Sequence, residues 1–167
     1  MRKSHLISIL VLFAAVSFGQ APTKWARFVV PDKSCSVLMP DTAQKQSSTE
    51  EKQAVKSSSD LWLAKTNFGV YIIGITDYSV ELDPKSELDA DRDNFLKAVN
   101  AKLVDESDIS LSGVKGREFT GISENYTFKC RFFYINKRTY SIMGAEPTKE
   151  LDVSRVKKFL ESFEFGN

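Results

Sequence analysis

Residues 126–145 read YTFKCRFFYINKRTYSIMGA, and they contain the clearest fold signal in the chain. Aromatic and β-branched residues fill two runs, Tyr126 to Ile135 and Arg138 to Ala145, with Asn136 and Lys137 between them. Such runs are typical of strands, and a two-residue polar gap is typical of a tight hairpin. The stretch therefore predicts two neighbouring antiparallel strands.

The period of two divides the first of these strands between two faces of a sheet. One face carries Phe128, Cys130, Phe132 and Tyr134, and the other carries Lys129, Arg131, Phe133 and Ile135. The aromatic side chains could line an apolar ligand pocket, or simply fill the core of a sheet. The basic pair could bind an acidic partner, or its aliphatic stems could cover apolar surface. Arg131 and Phe133 are therefore candidate ligand contacts.

A strand is also predicted upstream, from Gly116 to Ile122. Within it, the side chains of Arg117 and Glu118 should emerge on opposite faces of the sheet, one of them partly buried beneath a helix. Arg117 is a third candidate ligand contact, as an anion-binding group in a cleft. The more common role for such charges is a structural salt bridge or protection of a strand edge.

The preceding part of the chain predicts further strands. Leu61 to Lys65 and Val70 to Ser79 read as two strands joined by a turn at 67–69, and the second is apolar on both faces, which indicates a central strand. Ser36 to Met39 is a short β-rich segment. The polar stretch from Thr42 to Ser59 is either a solvated edge hairpin or a mobile loop.

Two amphipathic helices complete the pattern. The first begins at Asp83 and Pro84, which suit a helix cap and first turn. Its apolar stripe is Leu88, Phe95, Leu96, Val99 and Leu103. The second follows Pro147, and its stripe is Val153, Val156, Phe159, Leu160 and Phe163. Two helices and at least five hairpin-linked strands predict an α+β fold, an α/β/α sandwich with a largely antiparallel central sheet.

Ser36-Val37-Leu38-Met39-Pro40 resembles the F-S-V-x-x-P strand that opens exported proteins with the PsbP-like α/β/α sandwich. The Gly-Arg-Glu-Phe strand at 116–119, the aromatic hairpin and the F-L-x-S-F segment at 159–163 are similar too. The resemblance covers nearly the whole chain after Gly19. It implies a PsbP-like fold of the kind found in uncharacterised bacterial exported proteins, and it transfers no catalytic residue.

The first nineteen residues predict export. Arg2 and Lys3 precede an apolar run from Leu6 to Phe18, and Gly19 is a small residue suited to cleavage. The run has thirteen residues, whereas a membrane-spanning helix needs about 20. We therefore expect a cleavable signal peptide, no permanent membrane anchor, and a periplasmic or extracellular protein.

Cleavage would remove His5, the only histidine, and with it any Ser-His-Asp or Cys-His mechanism and any histidine-ligated zinc site. It would leave 21 basic against 22 acidic residues, so nucleic acid is not an expected partner. Asp89, Asp91 and Asp93 alternate like the ligands of a calcium loop, but inside a helix they point in different directions. We expect no metal, cofactor or catalytic residue.

Cys35 and Cys130 would remain in a chain bound for a compartment where thiols can be oxidised. A disulfide between them would close a 95-residue loop, which the chain-entropy model values at roughly 4 to 5 kcal/mol. The alternative is two free, buried thiols. The sequence leaves both open.

We divide the chain into a signal peptide (1–19), an N-terminal linker and lead-in (20–33) and a single PsbP-like domain (34–165). The expected function is that of an exported, non-enzymatic binding or assembly module for an envelope or secreted protein. One alternative is a carrier of a small apolar or acidic ligand, with Arg117, Arg131 and Phe133 as contacts. The other is a carboxylate-based hydrolase, which needs a buried pair of acids within about 10 Å facing one cleft.

Overall fold

The structure, a computed structural model, describes residues 25–52 and 54–166. The predicted signal peptide and the first five residues of the predicted linker lie outside the described residues. In chain order the elements are β1 (Ala26–Val29), β2 (Cys35–Met39), β3 (Gln44–Lys52), β4 (Val55–Lys65), β5 (Val70–Tyr78), α1 (Pro84–Ala98), β6 (Lys102–Leu111), β7 (Val114–Ile122), β8 (Tyr126–Ile135), β9 (Arg138–Pro147), α2 (Val153–Glu161) and β10 (Glu164–Phe165).

Seven strands form an antiparallel sheet in the order β3-β4-β5-β9-β8-β7-β6. Its centre contains the predicted aromatic hairpin, β8 and β9, and beside it the predicted central strand, β5, which is buried on both faces. The polar stretch after residue 42 forms most of the β3–β4 hairpin at one edge, which is the first of the two alternatives that the sequence left open. Two helices and this sheet confirm the predicted α+β architecture.

The sheet separates two hydrophobic cores. On one face, α1 packs against β7 and β8, and the core includes Phe95, Phe119 and Phe132. On the other face lie α2 and a small sheet of strand order β1-β2-β10, and the core there includes Tyr71 and Phe159. Because the two cores lie on opposite sides, a side chain on the sheet belongs to either the α1 face or the α2 face.

Within the predicted linker and lead-in, residues 26–29 form β1 and pair with β2. Val29 pairs with Ser36 and Phe28 with Val37, so the small sheet begins before residue 34. Phe28 then packs on the ring of Trp62, with ring centroids 5.8 Å apart. This segment covers part of the α2 face.

The predicted stripe of the first helix was wrong at Leu103, which lies in β6 and is 43% exposed. The helix ends earlier because Asn100 adopts a left-handed conformation with φ 50°. The amide of Asn100 donates to the Lys97 carbonyl, and that of Ala101 donates to the Leu96 carbonyl at 2.8 Å. These are the two hydrogen bonds of a Schellman cap.

The predicted stripe of the second helix needs a similar correction. Val153 begins α2 but is 52% exposed, so it takes no part in the buried face. Phe163 is buried as predicted, although it lies two residues beyond the end of the helix.

The structure has the two thiols free, so the possible Cys35–Cys130 disulfide is not formed. Cys35 belongs to the core on the α2 face, whereas Cys130 belongs to the core on the α1 face. The seven-stranded sheet therefore lies between them. Burial raises the pKa of the Cys35 thiol to about 12 and raises that of Cys130 well above its ordinary value.

Candidate functional site

The structure does not bring the three predicted ligand contacts together. Arg117 shares the α1 face with Phe119, whereas Arg131 and Phe133 lie on the α2 face. Since the sheet separates them, no single ligand can touch all three.

Arg117 is a structural ion-pairing residue beneath α1. Its side chain is only 10% exposed, and its Nη1 lies 2.6 Å from both Asp89 Oδ1 and Glu106 Oε1. Its Nε lies 3.2 Å from Asp108. Burial alone would lower the pKa of this guanidinium, but the surrounding carboxylates outweigh it and the pKa is raised. The network joins α1, β6 and β7. Because these carboxylates already neutralise the Arg117 guanidinium, it is not available to bind an anionic ligand.

The side chains of Arg131 and Phe133 also make contacts within the protein. The Nε of Arg131 donates to Glu118 at 2.5 Å, and its Nη1 donates to the Leu160 carbonyl at 3.3 Å. Phe133 is 1% exposed and its ring stacks on Phe163 at 5.7 Å between centroids. Phe133 is therefore a core residue, and the hydrogen bond of Arg131 to Leu160 attaches α2 to the sheet.

The α2 face changes from apolar to polar along β4, as three rows of paired residues show. The first row crosses β3, β4, β5 and β9 as Lys45, Trp62, Ile73 and Ile142. The second row is Ser47, Asp60, Ile75 and Tyr140. The third row is Thr49, Ser58, Asp77 and Arg138. Each row is more polar than the one before. The sheet therefore extends beyond α2 and the small sheet, which cover its apolar part.

Two adjoining cavities lie along this polar end. One, of about 230 Å³, is lined by Trp62, Asp60, Lys45 and Ser47 among others. The next, of about 590 Å³, is lined by residues such as Glu51 and Lys56. Thr49, Ser58 and Asp77 line both. We call the two together the hairpin groove.

Carboxylates dominate the charged groups of the hairpin groove. Asp60 accepts hydrogen bonds from Ser47 at 2.5 Å and pairs with Lys45 at 2.9 Å. Desolvation alone would raise the pKa of Asp60, but the hydrogen bonds from Ser47 and Lys45 outweigh it and lower the pKa. Asp77 accepts from Arg138 at 2.5 Å, and the same guanidinium reaches Asp32 at 2.8 Å.

These carboxylates do not have the environment of a glycosidase pair. Asp60 and Asp77 face one groove, but their side chains are 39% and 47% exposed and each is held by a cation. A general acid needs a raised pKa so that it keeps its proton near neutrality. The lowered pKa of Asp60 favours a permanent charge, so the groove is better suited to binding than to proton transfer.

A buried carboxyl pair lies elsewhere, between α1 and the sheet. Asp91 is 1% exposed and Glu87 is 5% exposed, one helical turn apart. Desolvation and the Glu87 carboxylate raise the pKa of Asp91 well above its ordinary value, and the Thr139 hydroxyl offsets only part of this. Burial and the same two carboxylates raise the pKa of Tyr78. Neither acid lines the hairpin groove.

Glu146 shows how a buried carboxylate is normally compensated. Its side chain is 0% exposed, and it accepts hydrogen bonds from Arg155 Nε at 2.6 Å and Nη2 at 2.7 Å. The Asp152 amide and the Tyr71 hydroxyl also donate to it. With a cation and two further donors, this site fixes the start of α2 and is structural.

The three alternating aspartates do not converge. Asp89 contacts Arg117, Asp91 is buried beneath α1, and Asp93 is exposed and pairs with Arg92. Among the residues that the structure describes, no three His, Cys, Asp or Glu side chains are grouped as metal ligands.

In the same part of the chain, neither helix has the length and apolar character needed to cross a membrane.

Comparison with solved structures gives this architecture its class, the PsbP-like fold. The solution structure of cyanobacterial PsbP (CyanoP) from Synechocystis sp. PCC 6803 matches with a TM-score of 0.57, over 92% of this chain and 98% of that chain. The sequences are 11% identical, so the likeness shows the fold alone. The predicted PsbP-like fold is confirmed.

A crystal structure from Bacteroides thetaiotaomicron VPI-5482 is also similar, with 13% identity and a TM-score of 0.38. It covers 84% of this chain and 48% of that chain, and the similarity is too low to support an argument. No protein-family model matches the chain, and no curated protein matches it significantly.

None of the three predicted ligand contacts, Arg117, Arg131 and Phe133, lines the hairpin groove. Residues 56–60 are all polar, so no alternation of apolar and polar residues marks them as part of a strand. The pairing of Arg138 with Asp32 joins positions 106 residues apart. No local pattern could have predicted it.

Proposed function

We propose that the chain is an exported, non-catalytic binding module whose partner is a protein that binds in the hairpin groove. The observation that carries the proposal is the groove itself, a polar surface on a regular sheet that extends beyond its hydrophobic cover. Long strands of polar residues are held there in an unbroken register, from Gln44 opposite Leu63 to Lys52 opposite Val55. A rigid sheet surface positions hydroxyl and carboxylate groups well for recognition.

The edge of the groove supports a polypeptide partner. Within the described residues β3 pairs with β4 alone, so one side of its backbone can accept another strand. The opposite edge strand, β6, differs: its register shifts between Leu103 and Asp105, and Asp105, Glu106 and Asp108 add charge. Bulges and charges are devices that protect an edge from pairing. β3 lacks the bulge, which favours it as the binding edge.

Export is proposed from Arg2, Lys3 and the apolar run from Leu6 to Phe18. The carrier alternative has less support, since Arg117, Arg131 and Phe133 are occupied by internal contacts. The hydrolase alternative has less support because the pKa of the groove carboxylate Asp60 is lowered, whereas a general acid needs a raised pKa.

Affinity capture with matched variants tests the proposal. Ser58→Arg places a long cation in the groove, whereas Gln46→Arg places one on the other face of the same hairpin. We expect wild type and Gln46→Arg to recover the same protein from the host in equal amounts. Ser58→Arg should recover at least about tenfold less of that protein, because a buried charge mismatch commonly lowers affinity by this much. Equal recovery by all three chains would refute the proposed site.

A further inference from the structure

We propose that the hairpin groove binds an organic cation, an alkylammonium or guanidinium group, at the place that the ammonium of Lys45 now occupies. The inference rests on the proposed function, because it takes the groove to be a binding site. It adds the chemical class of the ligand.

The geometry around Lys45 is that of an ammonium site. Its Nζ lies 5.5 Å from the centroid of the Trp62 ring and 2.9 Å from Asp60 Oδ2. The other oxygen of Asp60 is held by the Ser47 hydroxyl at 2.5 Å. An aromatic face and an oriented carboxylate are the two groups that recognise organic cations in proteins. The chain therefore fills a cation site with its own side chain.

Lys45 is suited to give way to an external cation. It projects from the edge strand β3, its side chain is 47% exposed, and Asp60 is 39% exposed. Exposed ion pairs of this kind are worth only about 0.2 to 1 kcal/mol. Its flexible stem can swing into solvent and leave the Trp62 ring and the Asp60 carboxylate open to the 230 Å³ cavity.

The charge of the groove favours a cation over the acidic ligand of the carrier alternative. Four carboxylates of its lining belong to the α2 face or to the turn after β1, those of Asp32, Glu51, Asp60 and Asp77. The basic side chains in the lining are Lys45 and Lys56, and Arg138 contacts two of the acids from the adjoining strand. The excess of negative charge attracts cations and repels anions.

Fluorescence of Trp62 measures cation binding directly. The chain without residues 1–19 is made in a Trp25→Phe background, so that Trp62 is the reporting indole. Putrescine stands for a free amine, and Nα-acetyl-lysine methylamide stands for a lysine side chain of a partner protein. Nα-acetyl-norleucine methylamide is the neutral control. The thermal transition of each variant is recorded first, to show that it is folded.

We expect Lys45→Gln to bind putrescine or the lysine derivative saturably, with a Kd about two- to fivefold lower than the parent, because an exposed pair worth up to about 1 kcal/mol no longer competes. Asp60→Asn in the same background should abolish binding, and the norleucine compound should give no saturable change. The cation that binds more tightly identifies the source, a free amine or a protein side chain. Absence of saturable binding to Lys45→Gln would overturn the inference, as would equal binding by Asp60→Asn.

This result is separable from the test of the proposed function. If Ser58→Arg abolishes capture of a partner while Lys45→Gln binds neither cation, the cation site is refuted and the binding groove stands. If cations bind while capture is insensitive to Ser58→Arg, the protein partner is refuted and the cation site stands.

Discussion

At the scale of single residues, the buried carboxylates of the two faces differ in how their charge is compensated. Glu146 faces the guanidinium of Arg155, so a positive charge lies beside its carboxyl group. Asp91 faces Glu87 from its own helix, Thr139 from β9 and Tyr78 from β5, none of which carries a positive charge. An isolated buried carboxylate is costly, so Asp91 favours its protonated form.

This environment gives Asp91 a defined effect on stability. Its folded pKa lies above the unfolded value of about 3.8, so the folded state binds the proton more tightly than the unfolded chain. The contribution of Asp91 is fully present below pH 3.8 and is lost as pH rises through the folded pKa. Rising pH therefore lowers the contribution of Asp91 to the stability of the folded state.

Asp91→Asn should remove this penalty. We expect the variant to exceed wild type in free energy of unfolding near neutral pH by about 1 to 3 kcal/mol, with the difference shrinking as the pH falls toward 4. Urea unfolding at several pH values measures it. Asp93→Asn, on the exposed face of the same helix, removes only an exposed ion pair with Arg92 and should change the free energy of unfolding by less than about 1 kcal/mol. A variant less stable than wild type at all pH values would contradict the account of Asp91.

At the scale of elements, the strands with a buried face were predictable, whereas the exposed β3 was one of two alternatives and the exposed β6 was not predicted. The aromatic hairpin and β5 stand out because burial demands apolar residues at regular positions. β6 is exposed over most of its length, so its sequence lacks that pattern and its existence depends on pairing with β7. Leu103 happens to fall in phase with the helix, but Asn100 has already ended it.

The sheet also keeps the two cysteines apart, because Cys35 lies in the core on one of its faces and Cys130 in the core on the other. A thiol reagent such as dithionitrobenzoate should label neither Cys35 nor Cys130 in the folded chain, since both are buried and their pKa values are raised by burial. In denaturant without reductant we expect two labelled thiols per chain. Labelling of none in denaturant would mean that a disulfide forms and that the placement of these strands is wrong.

At the scale of the whole molecule, the hairpin groove arises from segments far apart in sequence. The hairpin contributes Thr49 and Ser58, β5 contributes Asp77, and the turn after β1 contributes Asp32. The residues that the sequence did single out, Arg117, Arg131 and Phe133, attach the helices to the sheet or fill its core. Local sequence patterns predict which segments form the helices and the sheet. The groove depends instead on which strands become neighbours and on where α2 and the small sheet stop covering the seven-stranded sheet.

The contrast between the two sheet edges makes the same point. Both β3 and β6 are exposed, but only β6 combines a register shift with three acidic residues near its start. The proposed binding edge, β3, is recognisable once the strand order is known, because edge position is a property of the assembled sheet.

Site-specific photocrosslinking in the host tests the central claim that the hairpin groove is where the partner binds. A photoreactive phenylalanine analogue is placed in the full-length chain at Thr49, which lines the groove, or at Gln46, which faces the other side of the same strand. The account predicts a discrete covalent protein adduct from Thr49 and little or none from Gln46. Equal adducts at both positions, an adduct at Gln46 alone, or no adduct at Thr49 would contradict it.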